Sequence, residues 1–68
     1  MDVQTMLKRL IDAGLSQDRI VELVKAYGGN TNQSNISRMI RGGGCRYELG
    51  CVIRRVYFEV CELDRGAA

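Results

Sequence analysis

Glycine cuts this chain at three places, Gly14, Gly28-Gly29 and Gly42-Gly43-Gly44, and proline is absent. Between the cuts, apolar residues recur at helical spacing. The first segment has Val3, Met6, Leu7, Leu10 and Ile11, the i, i+3, i+4, i+7, i+8 pattern of one buried helix face. Asp2 is its expected N-cap and Gly14 its expected stop. The second opens at Ser16, an N-cap residue, with Asp18 where the helix dipole favours an anion. Its apolar face is Ile20, Val21, Leu23, Val24 and Tyr27, and Gly28-Gly29 ends it. The turn over 28–31 is rich in residues that tolerate positive φ or bond their own backbone. The third segment, 32–41, reads as a short helix halted by the glycine triplet. That triplet lacks the Lys-Ser/Thr of a nucleotide loop and has no strand before it, so a helix stop is the better account.

The fourth segment, 46–63, is the most apolar. On a helical wheel Leu49, Val52, Ile53, Val56, Val60 and Leu63 form one stripe, and Tyr47, Cys51, Phe58 and Cys61 form a second nearly opposite. Glu48, Arg55, Glu59 and Glu62 hold the polar wedge. A surface helix needs one buried face; two apolar stripes predict burial on two sides, one of them against a partner chain. A β-strand around 52–60 is the rival reading, since β-branched residues are frequent there. The 3.6 period over the longer window favours a helix.

At 68 residues the chain has room for one domain, residues 1–68, with a small core. Three cysteines, Cys45, Cys51 and Cys61, form no CxxC pair, and histidine is absent. A zinc site, a Cys–His or Ser–His nucleophile and any other enzymatic role are therefore not expected, and no cofactor is predicted. The thiols read as reduced and mostly packed, as in a cytoplasmic protein. Residues 1–8 are polar and mixed in charge, unlike a signal peptide, and no apolar run approaches a membrane span of about 20 residues. The carboxylates of Asp2, Asp12, Asp18 and Glu22 read as caps and solvated helix faces. Tyr27 and Tyr57 read as residues at the rim of the core.

The net charge of +2 is unevenly spread. Residues 1–29 balance to zero. Residues 30–58 carry Arg38, Arg41, Arg46, Arg54 and Arg55 against Glu48 alone, a net of +4, and residues 59–68 carry −2. Every cation in the basic stretch is arginine, whose planar fork suits phosphates and guanine edges. Arg54 and Arg55 have two readings: an extension of a phosphate-binding surface, or pairs with Glu48, Glu59 or Glu62 one turn away. Arg46, just past the glycine loop, is the better phosphate candidate.

The third segment carries the chemistry. Ile36, Met39 and Ile40 lie together on the wheel, and Ser34, Ser37, Arg38 and Arg41 gather opposite them. Gln33 sits at the N-terminal tip with Asn32 ahead of it, and Asn35 lies to the flank. Serines let a helix approach base edges, arginine bonds guanine bidentately and glutamine does so for adenine. The helix N-terminus offers free N–H groups to a phosphate. A solvated polar face is the plain alternative. Leu15-Ser16-Gln17-Asp18-Arg19-Ile20-Val21, then Asn32-Gln33-Ser34-Asn35-Ile36-Ser37-Arg38, then Gly42, resembles the helix-turn-helix core of phage Cro and CI-type repressors. The similarity covers about 15–56 and is strongest at Gln-Ser-x-Ile-Ser-Arg. It implies an all-α, compact four- to five-helix bundle, a lambda-repressor-like DNA-binding domain. It also implies that Gln17 buttresses Gln33 and a phosphate, and that Ser34, Ser37 and Arg38 face bases or nearby phosphates. Two features depart from the family pattern: Val21 stands where a small residue is usual, and Ile20 to Ile36 is about five residues longer than usual.

These readings converge on a sequence-specific regulator of transcription, a phage-type repressor that binds double-stranded DNA and works by occluding a promoter in a bacterial host cell. Its expected DNA-contacting set is Gln17, Asn32, Gln33, Ser34, Asn35, Ser37, Arg38, Arg41 and Arg46. A homodimer on a palindromic operator is expected, joined through Tyr47, Cys51, Phe58, Cys61 and Leu63. No membrane association and no small-molecule ligand are predicted. The second functional class is a protein-interaction module, such as an antirepressor or inhibitor, built on the same helices.

Overall fold

The computed structural model describes residues 2–63, and the side chains of Glu62 and Leu63 lie outside the description. Four α-helices follow one another: α1 (Val3–Asp12), α2 (Gln17–Ala26), α3 (Gln33–Ile40) and α4 (Tyr47–Tyr57). A π-helical turn, Phe58–Leu63, continues α4. No strand occurs among the described residues, so the 52–60 segment is helical.

Local chemistry sets the helix ends. At the front of α1, α2 and α3, the side chains of Asp2, Ser16 and Asn32 accept from the amides of Thr5, Arg19 and Asn35. Each bond satisfies one of the four N–H groups that a helix start leaves without an intrahelical partner. The same three helices end alike. Gly14, Gly28 and Gly42 sit at φ of +105°, +91° and +100°, a region that other L residues rarely enter. Their amides and those of the next residues reach back to the final turn: Gly14 to Ile11 O, Leu15 to Leu10 O, Gly28 to Lys25 O, Gly29 to Val24 O, Gly42 to Met39 O and Gly43 to Arg38 O. This paired arrangement is the Schellman motif, repeated three times.

One core gathers these helices. Met6, Leu7 and Leu10 of α1, Ile20 and Val24 of α2, Ile36 and Met39 of α3, and Ile53, Val56 and Tyr57 of α4 are its buried members. Removing each large side chain from water contributes about 1.5–3 kcal/mol. The α1 and α2 faces expected from periodicity are the faces that pack. Helix α1 lies against both α3 and α4, and it holds α3 by a specific bond. Gln4 Nε2 donates to the Ile40 carbonyl at 3.1 Å. That carbonyl completes the set: those of Ser37, Arg38 and Met39 already accept from residues 41–43, so all four terminal acceptors of α3 are satisfied.

Several expectations are corrected. Helix α4 starts and ends inside the 46–63 window, and its last turns widen to i→i+5 bonding. The wider turn rotates the residues beyond it relative to an α-helical wheel. Cys61 accordingly packs, half-buried, against the core and leaves the outer stripe, while Val60 packs there as the wheel placed it. The expected dimer role of Leu63 falls on a side chain outside the description. The thiols are not mostly packed: Cys45 and Cys51 are exposed and Cys61 is half-buried. Tyr57 is a core residue at 4% exposure, and its hydroxyl accepts from Arg9 Nη1 at 3.2 Å. Tyr27 does lie at the rim. Arg54 and Arg55 form no ion pair with Glu48 or Glu59. Their guanidiniums stack instead over the rings of Phe58 and Tyr27, at 5.7 and 5.8 Å from the centroids. At exposed sites a cation–π contact and a surface ion pair are each worth about 1 kcal/mol or less, so the ring within reach can take the cation.

Candidate nucleic-acid interface

Helix α3 is eight residues long, about 12 Å at 1.5 Å per residue, close to the about 12 Å width of a DNA major groove. One edge is committed to the core through Ile36 and Met39, with Ile40 half-buried beside them. The opposite surface is a ridge. Ser34 lies near its crest, and the wheel's polar residues divide into two flanks around it.

On the first flank Gln33, Ser34, Ser37 and Arg41 line a shallow depression that Gln17 of α2 completes. Gln17 is the first residue of α2, directly after the Ser16 cap. The two glutamines implied as partners by resemblance therefore share one hollow. None of the five side chains makes a hydrogen bond within the described residues. Their donors and acceptors are open to an outside partner.

On the second flank, Asn35 and Arg38 face the α3–α4 loop. Arg38 Nη2 donates to Asn35 Oδ1 at 3.3 Å. Both line a cleft of about 780 Å³ with Asn30, Arg46 and Glu48 at its rim and Met39, Leu49 and Val52 in its floor. Gly43 is drawn in against Arg38: its amide bonds the Arg38 carbonyl at 2.9 Å, and a Cβ there would meet Arg38 Cγ at 2.6 Å. The arginine side chain is thereby braced on one side while its tip stays exposed.

The set expected from the sequence to contact DNA is thus divided. Gln17, Gln33, Ser34, Ser37 and Arg41 come together, and Asn35, Arg38 and Arg46 come together on the far side of the ridge. Arg38 and Arg41, which the wheel placed on one face, diverge to opposite flanks. Asn32 stands apart. Its side-chain oxygen holds the Asn35 amide at 2.8 Å, so its first task is capping. That cap leaves the amides of Gln33 and Ser34, at the tip of α3, with no acceptor among the described residues. Helix α4 starts without a side-chain cap at Arg46, next to Cys45, whose thiol donates to the Arg46 carbonyl at 3.3 Å.

The electrostatics are uniform in sign along the ridge. Arg38, Arg41 and Arg46 are exposed, and the ion pair among the described residues lies elsewhere, between Arg19 and Glu22 at 3.0 Å. Glu48 is the one acid near the second flank. Sequence reasoning missed Asn30 and Gln4. Asn30 sits in a turn with no periodicity, and Gln4 acts across 36 residues of chain.

No group of histidine, cysteine, aspartate or glutamate side chains among the described residues is placed to hold a metal ion. No helix among them is long and apolar enough to cross a membrane. The chain matches no family model, no curated protein and no solved structure.

Proposed function

We propose that this chain is a helix-turn-helix regulator of transcription that binds double-stranded DNA in a sequence-specific way, with α3 as the helix laid in the major groove. The observation that carries the reading is the division of α3. One edge is packed into the core, and the other is a short, acid-free ridge whose polar side chains are left largely unpaired within the described residues. Serine at the crest permits close approach, and the flanking Gln33 and Arg41 have the donors that base edges accept. Arg38 is assigned to a base or to the adjacent phosphate, and Arg46 to the backbone, because the segment beside a recognition helix commonly tracks a strand. The likeness of residues 15–56 to phage Cro and CI-type repressors supports the same docking, with residues 27–32 as a long turn.

Action follows from occupancy alone: a homodimer on a two-fold operator, with half-sites about one helical turn apart, excludes other proteins from a promoter. The cytoplasm of a bacterial host is the compartment this implies. The test is a gel-shift series on random and selected duplexes across salt concentration. If only Arg46 of each protomer meets a phosphate, the log–log salt slope is about −2, and if Arg38 and Arg41 join it the slope is about −5. Absence of binding at low salt would overturn the proposal. The protein-interaction reading would then take its place, favoured by two exposed aromatic residues, Tyr47 at the start of α4 and Phe58 just past its end.

A further inference from the structure

The cleft between α3 and α4 holds both signs of charge beside an apolar wall. Asn35 and Arg38 of α3 stand on one side, and Glu48, Leu49 and Val52 of α4 on the other. Leu49 and Val52 are half-buried and supply the apolar wall. The charges gather at one end. Gly43 packs on Arg38, Arg46 follows that glycine loop, and Glu48 comes two residues later. Helix α4 opens there without a side-chain cap, so its first amides favour an anion as well. The other end lies at the α2–α3 turn, where a Cβ on Gly29 would stand 3.1 Å from Val52 Cγ1. Arg38, Arg46 and Glu48 are all exposed, and neither arginine pairs with the carboxylate among the described residues. A purely anionic occupant would set like charge against Glu48. A purely apolar one would cover three charges without pairing any of them. A dipolar occupant satisfies both signs.

We propose that this cleft binds a free α-amino acid with an apolar side chain. The carboxylate is held by the Arg38 and Arg46 guanidiniums, the ammonium by Glu48, and the side chain lies along Leu49 and Val52 toward the α2–α3 turn. An α-amino acid carries its two charges on neighbouring carbons, which matches a cleft whose charged groups share one end. The apolar wall continues away from that end, as a side chain does from its head group. At about 780 Å³ the cleft falls within the range of small-molecule sites, about 300–1,000 Å³. It is an open site for so small a ligand, and a Kd on the order of 1 mM is expected of a molecule of about nine heavy atoms. The sequence predicts no small-molecule ligand, because the cleft forms only where α3, α4 and the turn between α2 and α3 meet. Arg38 and Arg46 are also assigned to DNA above, so an occupied cleft would compete with a duplex. That consequence rests on the DNA reading; the site itself does not, and its test contains no DNA.

The test is a titration of the full chain, labelled with nitrogen-15, with L-leucine up to about 20 mM, some twenty times the expected Kd. Saturable shifts are expected at the amides of Gly29, Gly44 and Leu49. Leucinamide lacks the carboxylate and N-acetyl-L-leucine lacks the ammonium, so each should bind about fivefold more weakly or worse. Glycine keeps both charges but has no side chain for Leu49 and Val52, and should bind more weakly by a similar factor. Two variants then match each charge to its partner. Glu48→Gln should weaken L-leucine about fivefold and leave N-acetyl-L-leucine unchanged. Arg46→Gln should weaken L-leucine by a similar factor and make leucinamide no weaker. Both positions are exposed, so circular dichroism should report the parent helix content, and the three analogues test the parent protein whatever the variants do. Absence of saturable shifts, equal affinity for L-leucine and its two blocked analogues, or variant losses that ignore which charge the analogue lacks would overturn the site.

Discussion

Three glycines that bracket α3 differ in why they are glycine, and substitution by alanine separates the reasons. Gly28 has φ of +91° and nothing within 4 Å of a would-be Cβ. Gly28→Ala therefore meets only the backbone penalty of the left-handed region, about 1 kcal/mol. Gly29 has no positive φ, but its Cβ would stand 2.5 Å from Val24 Cγ1, 3.1 Å from the Val24 carbonyl and 3.1 Å from Val52 Cγ1. Val24 is fully buried, and its branched side chain has one preferred rotamer in a helix. The carbonyl accepts the Gly29 amide at 2.8 Å and cannot retreat without breaking that bond. Gly29→Ala should cost about 2–3 kcal/mol by overpacking. Gly44 has neither a positive φ nor an atom within 4 Å of its Cβ position. Gly44→Ala should be neutral or stabilise by about 0.4–1 kcal/mol, by restricting the unfolded chain. Urea unfolding followed by far-UV circular dichroism measures all three against the parent. In a domain this small, a loss of about 2–3 kcal/mol is a large share of the total, so Gly29→Ala is expected to be partly unfolded at 37 °C. An order other than Gly44 above the parent or equal to it, then Gly28, then Gly29 would refute the packing of the α2–α3 turn against α4. A mild Gly29→Ala alone would be sufficient.

Four further outcomes are expected. Arg38→Ala should weaken binding to a selected site by about 1–3 kcal/mol and relax one base preference, whereas Arg46→Ala should weaken all sequences alike and reduce the salt slope; equal losses on selected and random duplex for both variants would contradict that division. Gln4→Ala leaves the Ile40 carbonyl without its partner, so stability should fall by about 1 kcal/mol, and α3 amides should exchange with solvent faster than those of α2. Thr31 is 5% exposed and its hydroxyl has no hydrogen-bond partner among the described residues, so Thr31→Val should raise the urea midpoint, by about 1 kcal/mol of stability, since it removes an unsatisfied polar group at nearly constant volume. The bond from the Thr5 amide holds the Asp2 carboxylate below its usual pKa of 3.8. A depressed folded-state pKa gives stability that is full above the unfolded value and lost as pH falls through the folded one, so Asp2→Asn should flatten the acid limb of the stability profile below about pH 4 and leave its slope near neutrality unchanged.

What could be read from the chain and what could not divide by range. The caps Asp2 and Ser16 were legible because each acts on an amide three residues ahead. The stops at Gly14, Gly28 and Gly42 were legible because a left-handed residue at a helix end selects glycine. The buried edge of α3 followed from Ile36, Met39 and Ile40, since an α-helix holds its period wherever it packs. Asn32 was read for DNA contact and not for capping, yet its side chain is the cap of α3.

The remaining features depend on which elements meet. Arg38 and Arg41 share a wheel sector, but the start of α2 stands on one side of α3 and the glycine loop on the other, and those neighbours draw the two arginines to different flanks. Arg54 and Arg55 lie within reach of carboxylates along the helix, yet Tyr27 and Phe58 offer aromatic faces that only the packed arrangement supplies. The Gln4 latch and the Arg9–Tyr57 bond join residues 36 and 48 positions apart, beyond any periodic signal. Cys61 left its expected stripe because the chain widened into a π-turn, which carries no sequence period of its own. The identity of the four helices, the glycine stops of α1, α2 and α3 and the two-faced character of α3 were therefore determined by the sequence alone, through interactions within about four residues. The division of the ridge into flanks, the latching of α3 by α1 and the exposure of Tyr47, Cys51 and Phe58 were decided by tertiary structure, because each requires surfaces that exist only once the helices have packed.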